Sequence, residues 1–264
     1  MAQYSVGRQA HFGVSNNDIH EVVMVADQNG NVLNSFGSAS NIPIAAGDVS
    51  GYKHINKFGY TGTDINGSCT IWDGNGTTTL YPYPANGTVT AVGATNTDDD
   101  GEFVEVQGLD GSGNEVTETV SIGGAASSAT FSRVFRARMV STANSQDINI
   151  NVGGSLGARI LSGNGQTLMA VYTVPTGKTA YFLKFIGTLD KSNAPVLFKI
   201  FARPSGGTFN LKGQFGTQGG NPITYDYPVP LKFEAGTDIK VDVTTSGSTG
   251  CGATFDIVLV DNPA

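Results

Sequence analysis

Residues 178–203 read KTAYFLKFIGTLDKSNAPVLFKIFAR. Two runs of aromatic and β-branched residues are separated by a short polar, proline-containing segment, which is typical of two strands joined by a turn. In the first run, strict alternation places one set of side chains on one face, Ala180, Phe182, Lys184 and Ile186, and the other set on the opposite face, Tyr181, Leu183, Phe185 and Gly187. Both faces are largely apolar, so we expect one to pack in a core and the other to contact another subunit.

Similar strand-like runs recur about every ten residues, with turn residues between them. Asn-Gly pairs, which supply the positive φ angles of two-residue hairpins, begin at Asn29, Asn66, Asn75 and Asn86. Helical periodicity is nearly absent, and its best candidate is residues 129–144. That segment is rich in Thr, Ser, Val and Phe, which favours a long strand with a bulge over the alternative of a helix. The sequence therefore predicts an all-β fold.

The strand-like runs fall into three segments. Residues 1–50 hold one hairpin, HEVVMVA and NVLNS, and then a stretch of small residues, which predicts an anchoring arm and linker. The alternative is that this hairpin completes a sheet of its own chain. Residues 51–154 and 155–264 each hold about eight runs, the number in a jelly roll. We therefore predict two tandem antiparallel jelly-roll-like β-sandwich domains preceded by an N-terminal hairpin arm.

Composition excludes several classes of protein. Glycine supplies 36 of 264 residues, charged residues make up 14% against the usual ~25%, and the net charge is −7. An acidic chain without a basic stripe is not expected to bind nucleic acid. No apolar run approaches the ~18 residues of a membrane span, and the start of the chain lacks a secretion-signal pattern. Cys69 and Cys251 are predicted to be free thiols, in keeping with folding in a reducing cytoplasm.

Catalytic motifs fail on their context. The hydrolase pattern G-x-S-x-G occurs at residues 153–157, but no helical pattern follows it and all three histidines, His11, His20 and His54, precede it. It is predicted to be an interdomain turn. His20-Glu21 begins like a zinc motif, but Met24 stands where the second histidine belongs. We predict no enzyme activity, no catalytic residue and no metal site or cofactor.

Two weaker alternatives concern ligands. Calcium could use the acidic run Asp98, Asp99, Asp100 and Glu102 or the alternating set Asp27, Asn29 and Asn31, but neither supplies a full ligand set, and solvated loops are the simpler interpretation. Aromatic side chains could stack on sugars, namely Trp72, Tyr81, Tyr83, Tyr225 and Tyr227. Tyrosine beside proline is, however, more typical of a strand edge packed against a neighbour.

The chain also resembles a known family in several stretches. The most specific are GQTLMAVYTVPTGKTAY at residues 165–181 and FDIVLVD at residues 255–261. Two further stretches carry the resemblance, HEVVMVADQNGNVLNSFGSASNIPIAAGDVSGYKHINKFG and IWDGNGTTTLYPYP. Together they resemble virion structural proteins of tailed bacteriophages of the marine and cyanobacterial type, over most of the chain. These are packing motifs, so the resemblance implies no catalytic residue.

The resemblance implies a place in a virion that is assembled in the host cytoplasm, with other virion proteins of the capsid or the neck and tail as partners. We expect a capsid decoration protein or head fibre. The alternative is a neck, tail-fibre or baseplate component that contacts a host receptor or glycan. A homo-oligomer is expected, and a trimer is favoured because viral jelly-roll proteins commonly assemble as trimers.

Overall fold

The computed structural model describes residues 41–62, 64–74, 80–191 and 193–263. The chain divides into two compact units, residues 1–50 and 51–264. The described part of the first unit contains a short helix, α1 (Asn41–Ala46), which ends where Gly47 adopts a φ of +82° and donates its N–H to the carbonyl of Ile44. In the described part of the chain, no helix is both long and apolar enough to cross a membrane. The predicted hairpin near residues 20–35 lies outside the described residues.

The second unit is built almost entirely of strands. In chain order they are β1 (Tyr52–Tyr60), β2 (Ile65–Thr70), β3 (Gly87–Gly93), β4 (Phe103–Leu109), β5 (Glu115–Ser121), β6 (Thr130–Phe131), β7 (Arg133–Met139), β8 (Ile148–Val152), β9 (Ser155–Ile160), β10 (Val171–Thr173), β11 (Lys178–Leu189), β12 (Val196–Arg203), β13 (Asn210–Thr217), β14 (Ile223–Phe233), β15 (Asp238–Thr249) and β16 (Cys251–Asp261).

These strands form two sandwiches. The larger sandwich has two sheets, with strand orders β1-β16-β11-β14 and β10-β15-β12-β13, and β2 also pairs with β15. The two sheets share one hydrophobic core, which includes Phe182, Phe198 and Phe255. In the smaller sandwich, the sheets β6-β3-β8-β9 and β5-β4-β7 share a second core that includes Val106, Phe131 and Ile150. Every ladder between these strands is antiparallel. The prediction of an all-β fold with antiparallel, jelly-roll-like sandwiches is confirmed.

The strands of the two sandwiches are not divided at residue 154. β1 pairs with β16 from Tyr52↔Val260 to Tyr60↔Gly252, and β2 pairs with β15, so both belong to the larger sandwich. Gly153 and Gly154 lie inside the β8–β9 hairpin of the smaller sandwich. The physical reason is that pairing partners nearly 200 residues apart leave no trace in local spacing.

A β-bulge changes the phase of β11. The register shifts between Phe182 and Lys184, so Leu183 has no partner, and both Phe182 and Phe185 point into the core with no exposed surface. Lys184 lies on the outer face, with its Nζ 3.4 Å from a carboxylate oxygen of Asp226. The prediction of strict alternation is therefore wrong. Contact of the outer face with another subunit stays a prediction.

Residues 129–144 contain strand and not helix, as predicted, but the segment is divided into β6, which pairs with β3, and β7, which pairs with β4. The predicted bulge is also present: the register between β4 and β7 shifts after Gln107, leaving Phe135 without a partner. Gly108 is required there, because a Cβ atom would collide with the carbonyl oxygen of Arg133.

Candidate interaction surface and binding pocket

The G-x-S-x-G motif forms a tight hairpin. Val152 pairs with Ser155, and the two residues between them, Gly153 and Gly154, have φ angles of +54° and +84°. Two consecutive positive φ angles are what the preferred two-residue hairpin turn requires. The motif is therefore a turn, as predicted, but it joins two strands of one sheet and not two domains.

The acidic run near residue 100 organises a loop. Asp99 is 6% exposed, and its carboxylate accepts hydrogen bonds from the backbone N–H groups of Ser145 and Gln146 and from the hydroxyl of Ser145. Although burial acts in the opposite direction, these donors hold the pKa of Asp99 below its usual value. The described residues contain no group of three or more His, Cys, Asp or Glu side chains arranged to hold a metal ion. His11, His20, Asp27, Asn29 and Asn31 lie outside the described residues.

The tyrosine pairs differ in exposure. Trp72 is fully buried and Tyr81 is 5% exposed, and their rings meet edge to face at 5.1 Å. Tyr83 is half-buried, with a buried hydroxyl, and its ring meets that of Tyr81 at 4.7 Å. Neither Trp72 nor Tyr81 therefore offers an open stacking surface. Of the second pair, Tyr227 packs against Phe182 at 5.6 Å, whereas Tyr225 keeps 41% of its surface exposed.

The two cysteines lie in one core, although the sequence places them in different domains. Cys69 is on β2 and Cys251 begins β16, and both are buried in the larger sandwich. Burial raises the pKa of Cys251 to about 12, so this thiol is unreactive at neutral pH.

A buried carboxylate joins the two sandwiches. Asp238, 2% exposed at the start of β15, accepts hydrogen bonds from Arg133 Nε (2.8 Å), Thr173 Oγ1 (2.7 Å) and Arg203 Nε (2.9 Å). Arg133 belongs to β7 of the smaller sandwich, and the other three residues belong to the larger one. Burial by itself raises the pKa of Asp238, but the hydrogen bonds and charge of Arg133 outweigh it and hold the pKa below its usual value. Sequence inspection missed this cluster because its members come from four strands.

Tyr83 lies beside this cluster in a strained conformation. Its φ is +48°, a left-handed value that non-glycine residues rarely adopt, and the guanidinium carbon of Arg203 is 4.5 Å from the centre of its ring. Its buried hydroxyl has no hydrogen-bond partner among the described residues. The cation–π contact and the packing on Phe209, at 5.4 Å, help to hold the strained residue in place.

An apolar bulge protrudes from the edge of the larger sandwich. On β14, residues 227–230 have no partners in β11, because the register passes from Phe182↔Leu231 to Lys184↔Asp226. Val229, at the centre of the segment, is 79% exposed. β14 is an edge strand, and prolines at positions 228 and 230 remove two backbone donors from it, which discourages pairing with a further strand. We call residues 227–230 the apolar bulge.

A polar pocket of about 300 Å³ lies between β1 and the outer side of the β5-β4-β7 sheet. Lys57 and Arg136 line it from opposite sides, and Tyr172 of β10 contributes to its wall. Lys57 is 7% exposed and donates a hydrogen bond to the carbonyl oxygen of Phe135. Burial, aided by the positive charge of Arg136, lowers the pKa of Lys57 to about 7.

The alternation of residues along β1 gives a partial signal for this pocket. In YKHINKFGY, alternation places Lys53, Ile55, Lys57 and Gly59 on one face of β1. Gly59 is tightly packed, since a Cβ atom there would lie 2.8 Å from the carbonyl oxygen of Ile71. Lys57 lies two positions before Gly59 on the same face of β1, so its side chain is expected to be buried as well.

Comparisons with known proteins add no assignment. No protein-family model and no curated protein sequence matches the chain. Among solved structures, the chain is similar to a chain in the structure of the infectious bursal disease virus Gt strain. The sequence identity is 11% and the TM-score is 0.20, and the match covers 81% of this chain and 75% of the viral chain. This chain is also similar to the VP2 subviral particle of infectious bursal disease virus, at 10% identity and a TM-score of 0.20, covering 82% and 78%. At such scores the similarity carries no argument about this chain.

Proposed function

We propose that this chain is a non-enzymatic structural protein of a tailed-phage virion, a capsid decoration protein or head fibre that is attached through residues 1–50. The apolar bulge is the observation that carries the proposal. A valine that is 79% exposed between two prolines, in an unpaired segment of an edge strand, has no role in the core of its own sandwich and is suited to contact with another protein. The resemblance of residues 165–181 and 255–261 to virion proteins supports the same role.

A second candidate is a neck, tail-fibre or baseplate component that contacts a host receptor or glycan. The observation that favours it is the ring of Tyr225, which is 41% exposed near the apolar bulge and rests on Phe215 at 5.1 Å. An exposed aromatic ring held by a second ring offers a stacking surface for a sugar. Locating the chain in an electron-microscopy map of the intact particle distinguishes the two candidates, since head decoration and tail attachment occupy different positions.

The apolar bulge is expected to mediate assembly of a homo-oligomer, with a trimer favoured. Replacing Val229 with aspartate places a charge at the centre of the contact and is expected to convert the oligomer to monomer. Light scattering over a range of protein concentrations measures the change. Val140→Asp is the matched control, because Val140 is 53% exposed but lies on the smaller sandwich. A wild-type protein that is monomeric at every concentration would contradict the prediction, provided that the particle also shows isolated copies.

Residues 1–50 are expected to anchor the protein to the particle. The two hydrophobic cores of the described chain draw their buried members from residues 69 to 259, so the remainder has what it needs to fold. Deleting residues 1–45 is expected to leave a soluble protein with a cooperative thermal transition that no longer sediments with particles. An insoluble or molten remainder would show instead that the segment completes a sheet of its own chain.

A further inference from the structure

The pocket between β1 and the β5-β4-β7 sheet has more positive than negative charge. Its one carboxylate, Glu115, accepts a hydrogen bond from Lys53 at 2.9 Å, so this pair is already balanced. Two further cationic side chains, Lys57 and Arg136, line the same pocket and lie close enough for Arg136 to disfavour protonation of Lys57. The charge of Asp73, which does not line the pocket, acts in the opposite direction on Lys57, but burial and the charge of Arg136 outweigh it. An anion inside the pocket would favour the charged forms of both cations.

Arg136 is the less satisfied of the two cations. Among the described residues its guanidinium makes no hydrogen bond and no ion pair within 4 Å; its charge acts on Glu105 only at longer range, and its guanidinium carbon lies 5.9 Å from the centre of the Phe58 ring. The neighbouring Arg138 on the same strand differs, because it binds both carboxylate oxygens of Glu105 at 2.9 Å. Arginine is a five-donor group whose planar fork matches a carboxylate or a phosphate.

Tyr172 supplies an independent sign of a missing partner. It is 2% exposed, and its hydroxyl is buried without a hydrogen-bond partner among the described residues. Its ring packs on Phe135 at 5.0 Å, and the ammonium nitrogen of Lys57 is 5.9 Å from the centre of that same ring. Buried hydroxyl groups normally have a partner, and Tyr172 belongs to the pocket wall, so we expect this donor to reach a ligand once the side chains around it shift.

We propose that this pocket binds a small oxyanion, a carboxylate or phosphate group, with Arg136 and Lys57 as its charged partners and the Tyr172 hydroxyl as a neutral donor. Such an anion balances the two cations and satisfies the buried hydroxyl together. A volume of about 300 Å³ is near that of ten liquid waters, so the pocket also has room for a small organic body attached to the charged group. Gln107 and Thr117, which line the pocket, offer polar contacts to that body.

Isothermal titration of the full chain tests the proposal, with inorganic phosphate and acetate as separate probes and chloride holding the ionic strength constant. Binding of at least one anion is expected. Arg136→Ala is expected to weaken binding by about 10- to 100-fold, since it removes a charged hydrogen-bond donor. Tyr172→Phe keeps the ring and is expected to weaken binding by about 3- to 10-fold. The two probes show whether the site prefers phosphate or carboxylate.

Arg138→Ala is the matched control, because it removes the same charge from the same strand outside the pocket. It is expected to leave the affinity unchanged, and thermal melts confirm that each variant is folded. Absence of binding of either anion at about 10 mM would overturn the proposal, since even weak anion sites with two cations are expected to be tighter than this. Equal loss of affinity in Arg136→Ala and Arg138→Ala would also overturn it, because it would show a general charge effect.

Discussion

Replacing Asp238 with alanine is expected to lower the free energy of unfolding by about 3–5 kcal/mol. The substitution leaves Arg133 and Arg203 partly buried without the carboxylate that accepts their hydrogen bonds, and it removes the acceptor of Thr173. Removing one partner of a buried ionic cluster is far more harmful than replacing all of it, because the remaining charges stay desolvated. Since Arg133 comes from the smaller sandwich, the loss is also expected to weaken the contact between the two sandwiches.

Thermal and urea unfolding measure the effect of Asp238→Ala. For a protein of this size, each kcal/mol is worth roughly 2–4 °C in Tm, so a decrease of about 10 °C is expected. Asp226→Ala is the control, because Asp226 is an exposed strand residue whose ion pair with Lys184 spans 3.4 Å. A change of less than 1 kcal/mol in Asp238→Ala would show that the arginines find water or other acceptors when the carboxylate is absent.

Replacing Lys57 with methionine is expected to stabilise the protein at pH 7 by roughly 2 kcal/mol. In the folded state the pKa of Lys57 falls from 10.5 to about 7, and each pKa unit corresponds to about 1.4 kcal/mol. Methionine fills a similar volume without a charge to desolvate. Part of the gain is offset because the carbonyl oxygen of Phe135 loses its donor.

The same variant is expected to change the pH dependence of stability. Between pH 7 and 10.5 the unfolded chain carries a proton on Lys57 that the folded chain lacks, so the contribution of this lysine to stability rises with pH. Below pH 7 both states are protonated and the slope disappears. The difference in unfolding free energy between Lys57→Met and wild type is therefore expected to shrink from pH 7 to pH 9. Urea titrations at several pH values measure it, and a difference that is constant with pH would mean that Lys57 stays charged in the folded protein.

Lys57 also connects stability with the proposed anion site. Without an anion, the buried amine of Lys57 lowers the stability of the fold. A bound anion favours the charged form of the amine and so reduces this destabilisation. Lys57→Met is accordingly expected to be more stable and to bind anions more weakly. The two effects have opposite signs, so general damage to the fold cannot produce both.

Local pattern predicted the strands well, because side-chain alternation and turn residues act over a few residues. The runs that became β11, β12 and β16 could be recognised directly, and the Gly153-Gly154 turn followed from its glycines. The bulge at Leu183 could not be predicted in this way, since it depends on which strands lie on either side of β11.

The sites were harder to predict than the strands for the same reason. Asp238 begins β15 much as Asp64 and Asp147 directly precede β2 and β8. Nothing nearby in the sequence shows that Arg133, 105 residues before Asp238, is its partner. Arg136 and Arg138 look equivalent in RVFRARM, and the difference between them is that Glu105 on β4 accepts hydrogen bonds from Arg138 but acts on Arg136 only at longer range. Sequence reasoning predicts residue chemistry, whereas pairing in space decides which groups remain unsatisfied.

The pairing of β1 with β16 has a consequence for how the protein is made. The strands of the smaller sandwich lie in one continuous segment, residues 87–160, so this sandwich has all its strands once the ribosome has passed residue 160. The larger sandwich must wait for its last strand, about 100 residues later, which at the usual rates of synthesis is about 5–20 s. During that time β1 presents a strand edge without its partner, and nascent chains close together on one message could pair through it. Synthesis of β16 both completes the larger sandwich and removes this edge from competition.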